Sequence, residues 1–314
     1  MTPAAGKAGS AASVRARLQA LSRSEKVEFQ LLLSEFAVER LLYRLGVSPH
    51  ADRYVLKGAM LFKLWSDERG RATWDLDMLG RGAHGVADVV AVIRNLCEVP
   101  ADDGIAFDAD SIEAEEIRAA DEYAGVRVRL LARLAGARIP MQVDVGFGDA
   151  VTPAAVRKHY PTLLEHAAPH ILVYPREAVI AEKLEAMVSL GVTNSRMKDF
   201  YDVHSLAGSF SFDGTVLAEA IRATFERRDT PIPSELPLAI TRTFLGAPER
   251  QTQWRAFLRR GRLDTAPDTS ELADALTSFL GPPIKALANG EDFAASWTPG
   301  KGWQLKTSTH DENS

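Results

Sequence analysis

The stretch Arg71-Ala72-Thr73-Trp74-Asp75-Leu76-Asp77-Met78-Leu79 decides how the rest of the chain is read. Thr73 to Leu79 has the make-up of a short strand. On a strand, residues two apart share a face, so the carboxylates of Asp75 and Asp77 project together while Leu76 points into the core. Two like charges held that close repel, and a divalent cation between them relieves the repulsion. Hard oxygen donors with no neighbouring His or Cys favour Mg2+ or Mn2+ over zinc. Asp-x-Asp also occurs at ordinary charged strand ends and turns, so the flanking sequence has to decide.

Upstream, Tyr54-Val55-Leu56 is strand-like and runs into Lys57-Gly58, followed by an apolar helical stretch from Ala59 to Trp65. A glycine at such a junction lets backbone N–H groups approach an anion, although a simple turn would also use one. Downstream, Gln142-Val143-Asp144-Val145-Gly146 places one carboxylate in an otherwise apolar strand. That placement is costly unless the carboxylate is paired or metal-bound. Residues 85–97 read as a helix, and 105–108, 111–117, 126–134 and 139–147 as strands. Helices followed by several strands without intervening helices predict an α+β (mixed α/β) domain built on a mixed sheet with flanking helices.

Ahead of that domain, Ser13 to Leu45 has the spacing of a helical hairpin, with Ser24 as an N-cap and Gly46 ending the run. After Pro153 the pattern is almost wholly helical, over 176–190, 195–207, 215–228, 249–260 and 270–279. The expected organisation is a disordered leader over 1–12, N-terminal helices and core over 13–160, a helical C-terminal domain over 161–290, and a flexible tail over 291–314.

The 314 residues are 46% hydrophobic and 25% charged, which excludes collagen-like, low-complexity and wholly disordered classes. No window approaches the roughly 20 apolar residues of a membrane span. The N-terminus lacks the apolar region of a signal peptide, so the expected compartment is the cytoplasm and no membrane partner is expected. The single cysteine, Cys97, sits in an apolar helical pattern and reads as a buried, inert thiol. A net charge of −5 argues against a nucleic-acid partner, but the average hides segregation. Acid concentrates between Asp110 and Glu122. Residues 250–262 hold Arg250, Arg255, Arg259, Arg260 and Arg262 and no acid. Arg255, Arg259 and Arg262 are expected on one helical face, opposite Trp254, Phe257 and Leu258. Such a face suits RNA phosphates as well as it suits plain solvent.

Five stretches carry a family resemblance. They are Arg40-Leu41-Leu42-Tyr43-Arg44-Leu45, Val55-Leu56-Lys57-Gly58-Ala59-Met60-Leu61, Arg71 to Asp77, Pro175 through Ala186, and Ser195-Arg196-Met197-Lys198-Asp199-Phe200-Tyr201-Asp202. The chain resembles the DNA polymerase β-like nucleotidyltransferases and, more closely, the AbiEii/AbiGii toxin family of toxin–antitoxin and abortive-infection systems. The resemblance covers about residues 13–262. It departs from the superfamily at Ala59, where a Ser usually follows the glycine, so backbone amides alone are left to hold a triphosphate there.

The resemblance implies a nucleotidyltransferase-like core with a C-terminal helical bundle. It implies a toxin that moves an NMP unit from an NTP onto RNA, at the 3′ end of tRNA, with a cognate antitoxin encoded nearby or acting as a regulator. Asp75 and Asp77 would bind Mg2+ or Mn2+, with Asp144 as third ligand or as base. Two such ions would clamp the entering and leaving oxygens of an in-line displacement. Lys57, Gly58, Ala59, Thr73, Arg196, Lys198 and Asp199 would contact the nucleotide. Lys183 would meet the triphosphate as a point charge, oriented by Asp202 in preference to Asp199. Two other readings keep their place: transfer to a small molecule or a protein hydroxyl, and a nucleotide-binding regulator without turnover.

Overall fold

In the computed structural model the described residues are 10–66, 73–118, 124–263 and 265–306. Arg71, Ala72, most of the expected leader, part of the acidic stretch before Glu122 and the last eight residues lie outside them. The chain divides into two compact units, Met1–Gly148 with Ala155–Tyr174, and Asp149–Ala154 with Pro175–Ser314.

In the first unit, α1 (Ala11–Glu25) starts one residue after Ser10, whose hydroxyl accepts from the Ser13 amide. The helix therefore includes the last two residues of the expected leader. Ser24 is not an N-cap: it lies in the last turn of α1, and its hydroxyl donates to the Leu21 carbonyl. The second helix, α2 (Phe29–Val47), is N-capped by Glu28 instead. It is buried along most of its length, charged residues included, because Arg40 and Arg44, one turn apart, both grip Asp103. Arg40 Nε donates to Asp103 Oδ2 at 2.9 Å, and Arg44 holds both oxygens at 2.7 and 3.1 Å.

The sheet of this unit comprises β1 (Tyr54–Lys57), β2 (Asp75–Gly80), β3 (Ala106–Arg118), β4 (Ala124–Leu134), β5 (Ala137–Phe147), β6 (Val156–His159) and β7 (His170–Val173). Its order is β3-β4-β5-β2-β1-β7-β6. The β2–β5 and β1–β7 pairs are parallel and the other four antiparallel, so the sheet is mixed, as expected. The strand expected in two pieces over 105–117 is one strand, β3, whose pairing to β4 shifts between Asp108 and Glu113. Burial alternates along β5: Ile139, Met141, Val143 and Val145 are buried, while Gln142, Asp144 and Gly146 face outward. The buried face supports α2, which packs on β5 and β7, and α4 (Val86–Glu98), which packs on β3 and β4.

In this unit two strands, β6 and β7, are the first to depart from the expectation of an almost wholly helical chain after Pro153. The outermost, β6, reads Val-Arg-Lys-His, a polar sequence that protects an open sheet edge but carries no apolar alternation to reveal it. The four residues of β7 are too few for any period to show.

The second unit holds α5 (Arg176–Leu190), α6 (Met197–Ser209), β8 (Phe212–Asp213), α7 (Gly214–Arg227), α8 (Arg242–Leu245), α9 (Pro248–Gly261) and α10 (Thr269–Ala288). The residues expected as a flexible tail instead contribute β9 (Ala295–Thr298) and β10 (Gly302–Leu305), which form a three-stranded sheet with β8. This hairpin also explains how α10 continues through Pro282 and Pro283, past the expected stop at 279. Pro283 has no N–H for the carbonyl of Phe279, four residues back. The Trp303 indole N–H supplies the bond instead, at 2.8 Å. Trp297 donates to the Ala207 carbonyl at 2.7 Å, and both indoles pack on the Phe279 ring.

Candidate active site

Sheet register brings the charged residues of four strands into one row. Arg127 on β4 pairs with Asp144 on β5, Asp144 with Asp77 on β2, and Asp77 with Lys57 on β1. Residues paired across adjacent strands point to the same face. The row therefore reads plus, minus, minus, plus across the outward face of the sheet. One step along the strands lies a second row, Arg129, Gln142 and Asp75. Asp75 and Asp77 thus share a face, as the spacing predicted, and Leu76 between them is buried.

Gly58 has φ +74°, the left-handed region that glycine enters without strain. A Cβ built there would lie 2.3 Å from Asp77 Oδ2. The close approach this glycine permits is to the Asp77 carboxylate. Residues Gly58–Leu61 form a single 3-10 turn in which Ala59 is buried, followed by α3 (Phe62–Trp65). Lys57 Nζ lies 5.5 Å from the centre of the Tyr174 ring and passes over Gly146, at 4.0 Å from where a Cβ would sit. Thr73 is half-buried just before β2, and Trp74 beside it is exposed.

Asp144 is held by two neighbouring side chains. Arg127 grips it with a fork, Nε to Oδ1 at 2.8 Å and Nη2 to Oδ2 at 2.7 Å, and Gln142 Nε2 donates to Oδ2 at 3.3 Å. The hydrogen bond to Asp144 is the largest influence on Arg127 and raises its pKa; burial, next in size, opposes it, and the charges of Asp144 and Asp75 add to the rise. Among the described residues, no group of three or more His, Cys, Asp or Glu side chains is gathered to hold a metal ion. Asp75 and Asp77, hard oxygen donors on one face, suit a hydrated Mg2+, which is held by one or two carboxylates plus substrate phosphates.

In the second unit, α5 buries Ala178, Val179, Ile180, Ala181, Leu184 and Met187, and carries Lys183 into a largely packed setting. Its ammonium lies 2.7 Å from Asp199 and 2.8 Å from Asp202 of α6. Arg196, at the N-cap of α6, reaches the other Asp199 oxygen at 2.8 Å. The structure does not choose between the two acids: both hold Lys183. Burial opposes each charge, yet Lys183 is raised because the two carboxylates outweigh it. Asp199 is likewise lowered by Lys183 and Arg196 despite its burial. The glutamates flanking Lys183 are drawn to another cation. Arg228 donates to Glu185 at 2.6 Å and to Asp149 at 3.0 Å, and lies 3.9 Å from Glu182.

The remaining expected residues scatter. Lys198 is exposed. Arg255, Arg259 and Arg260 are exposed on α9, whereas Arg250 is buried, donating to the Val192 carbonyl at 2.6 Å. Arg262 does not continue the helical face, because it is the C-cap of α9 with φ +52°. Cys97 is half-buried, and burial pushes its thiol up to about 11, in keeping with an inert residue. Sequence reasoning missed Arg127. Its alternation with the buried residues of β4 was readable, but its partner is set by a register that no local pattern encodes.

A family model described as nucleotidyl transferase AbiEii toxin, type IV toxin–antitoxin system, matches residues 40–278. No curated protein matches the chain. Among solved structures, JHP933 from Helicobacter pylori is 17% identical, with 84% of this chain and 95% of that one covered at a TM-score of 0.46. A second H. pylori protein, named as a nucleotidyltransferase candidate, is also 17% identical, with 85% and 100% covered at 0.48. Among the described residues no helix is long and apolar enough to cross a membrane.

Proposed function

The chain belongs to the AbiEii nucleotidyl transferase toxin family of type IV toxin–antitoxin systems, and on that premise we propose that it transfers an NMP unit from an NTP to RNA, at the 3′ end of tRNA. In this reaction an acceptor hydroxyl oxygen bonds to the α-phosphorus. The α–β phosphoanhydride breaks, pyrophosphate leaves, and the hydroxyl proton passes to solvent. Membership also implies an antitoxin as partner, encoded nearby or acting as a regulator.

One observation carries the reading: Asp75 and Asp77 stand side by side on an open sheet face, flanked by protein cations and backed by a glycine turn. Those two carboxylates would hold Mg2+ or Mn2+, which when bound neutralises phosphate charge and orients the triphosphate. Lys57 stands over the same face as a point charge for phosphate. Lys183, oriented by Asp199 and Asp202, is assigned to phosphate binding as well, and Arg255 and Arg259 to the RNA backbone. Most of the rate enhancement asked of such a site is positioning and charge neutralisation.

The test is incubation of the purified protein with each α-labelled NTP, Mg2+ and total RNA. Label is expected in RNA of tRNA mobility and should disappear in Asp77→Ala. Label entering a small molecule or a protein would move the assignment to those acceptors. Binding of NTP without any transfer would reduce it to a nucleotide-binding module.

A further inference from the structure

The Arg127–Asp144 fork uses one lone pair on each carboxylate oxygen and ties Asp144 to a cation of the neighbouring strand. The fork also fixes the guanidinium. Arg127 commits Nε and one hydrogen of Nη2, and a planar guanidinium gripped along that edge presents its remaining donors, both on Nη1 and one on Nη2, along the opposite edge. The side chain is 30% exposed, so this second edge is within reach of a ligand. It belongs to the row that contains Asp77 and Lys57.

We infer that Arg127 is a phosphate-binding residue of the site, and that Asp144 is a positioning residue that holds its guanidinium in place. This rests on the nucleotidyltransferase reading above and deepens it by naming the second cation that meets the triphosphate. The physical case is one of charge and spacing. A triphosphate brought to two ionised aspartates is repelled unless cations flank them. Lys57 supplies one on the β1 side, and Arg127 supplies the other on the β4 side. Four neighbouring strands span about 14 Å at the usual spacing, enough for a triphosphate chain to lie between these ends of the row. A guanidinium already braced by a carboxylate loses little side-chain freedom on binding phosphate, and charge-assisted bidentate hydrogen bonds are the strong ones. Arginine also stays protonated at any working pH, so its contribution does not depend on titration.

The experiment measures two affinities separately, Mn2+ by electron paramagnetic resonance and inorganic triphosphate with Mg2+ by calorimetry. The proteins are wild type, Arg127→Met, Arg127→Lys, Asp144→Asn and Asp77→Asn. Arg127→Met should weaken triphosphate about tenfold or more, the effect expected of one charge-assisted hydrogen bond, with Mn2+ affinity unchanged within about twofold. Arg127→Lys keeps the charge without the fork and should fall between, which also covers the case in which the methionine variant folds poorly. Asp144→Asn should weaken triphosphate and spare Mn2+, whereas Asp77→Asn should lose Mn2+. The inference is overturned if Asp144→Asn loses Mn2+ as Asp77→Asn does, or if Arg127→Met binds triphosphate as tightly as wild type. Wild-type protein that binds neither probe would overturn the nucleotidyltransferase reading itself.

Discussion

The charge row on the sheet of the first unit and the Lys183 triad of the second are assembled from the same residue types, but their surroundings differ. Arg127 and Asp144 keep 30% and 17% of their side-chain surface in water. Lys183 keeps 12%, and Asp199 and Asp202 only 1% each. An ion pair open to solvent contributes little to stability, a median of about 0–1 kcal/mol, so the fold gains little by keeping Arg127 on Asp144. A buried set is different. It contributes little relative to apolar residues, but breaking it strands an uncompensated charge. Local stability therefore says little about the purpose of the row, whereas the triad must stay intact for its unit to fold whatever else it does.

The largest expected effect follows directly. Lys183→Met should destabilise the protein by about 3–5 kcal/mol in urea unfolding, because it removes the cation that two buried carboxylates share. Arg127→Met should cost less than about 1 kcal/mol in the same assay. A Lys183→Met variant as stable as wild type would erase the distinction between the two assemblies.

Much of this arrangement was legible in the sequence, and the rest failed for identifiable reasons. The Asp75–Asp77 spacing, the Gly58 turn and the long helices follow from local periodicity, which is a property of neighbouring residues. Arg127 meeting Asp144 depends on strand order and register, which connect residues 17 apart through a hairpin and which local composition does not specify. Arg40 and Arg44 read as part of a family motif, yet in the structure they grip buried Asp103. Their place in the motif has a packing explanation. The β9–β10 hairpin was missed because four-residue strands have no measurable period. It serves the fold by giving α10 a donor, from far along the chain, for the carbonyl that Pro283 orphans.

Next in size is a pH effect that sets a second buried network against the triad. Burial raises Glu39 from 4.5 to about 7, against the backbone N–H of Leu163, which donates to it at 2.7 Å, and the charge of Arg40. The folded state thus holds a proton there that the unfolded chain has lost above its own lower pKa. The associated stability is complete below about 4.5 and declines by about 3 kcal/mol as pH rises towards 7. Asp199 has the opposite sign. Its pKa is lowered, so its contribution is present above the unfolded carboxylate range and is lost as pH falls through the folded value. Glu39→Gln should flatten the alkaline decline of stability measured by denaturation across this window, and leave the acid limb where it was. An unchanged alkaline decline would mean that another group carries it.

Gly58→Ala should cost about 2 kcal/mol, from placing a Cβ at positive φ and from pressing on the Asp77 carboxylate. It should also weaken Mn2+ binding, because the displaced oxygen belongs to one of the two carboxylates proposed to hold the ion. Loss of stability with intact Mn2+ affinity would show that Asp77 tolerates the shift, and would separate the turn from the site.

The smallest effect lies on α9, where the same contrast between buried and exposed charge appears within a single helix. Arg250 is buried and tied to the Val192 carbonyl, while Arg255 and Arg259 stand in solvent. Replacing Arg255 and Arg259 with Ser should leave the unfolding free energy within about 0.5 kcal/mol of wild type, as for surface changes generally. If these residues meet RNA phosphates, the same double variant should lower the slope of log affinity for tRNA against log salt by about 1 for each phosphate that is no longer neutralised. Arg250→Ala should do the reverse, unfolding earlier with its salt slope intact. A double variant with an unaltered slope would leave α9 as an ordinary solvated face, and would move the RNA-binding role to some other basic surface of the chain.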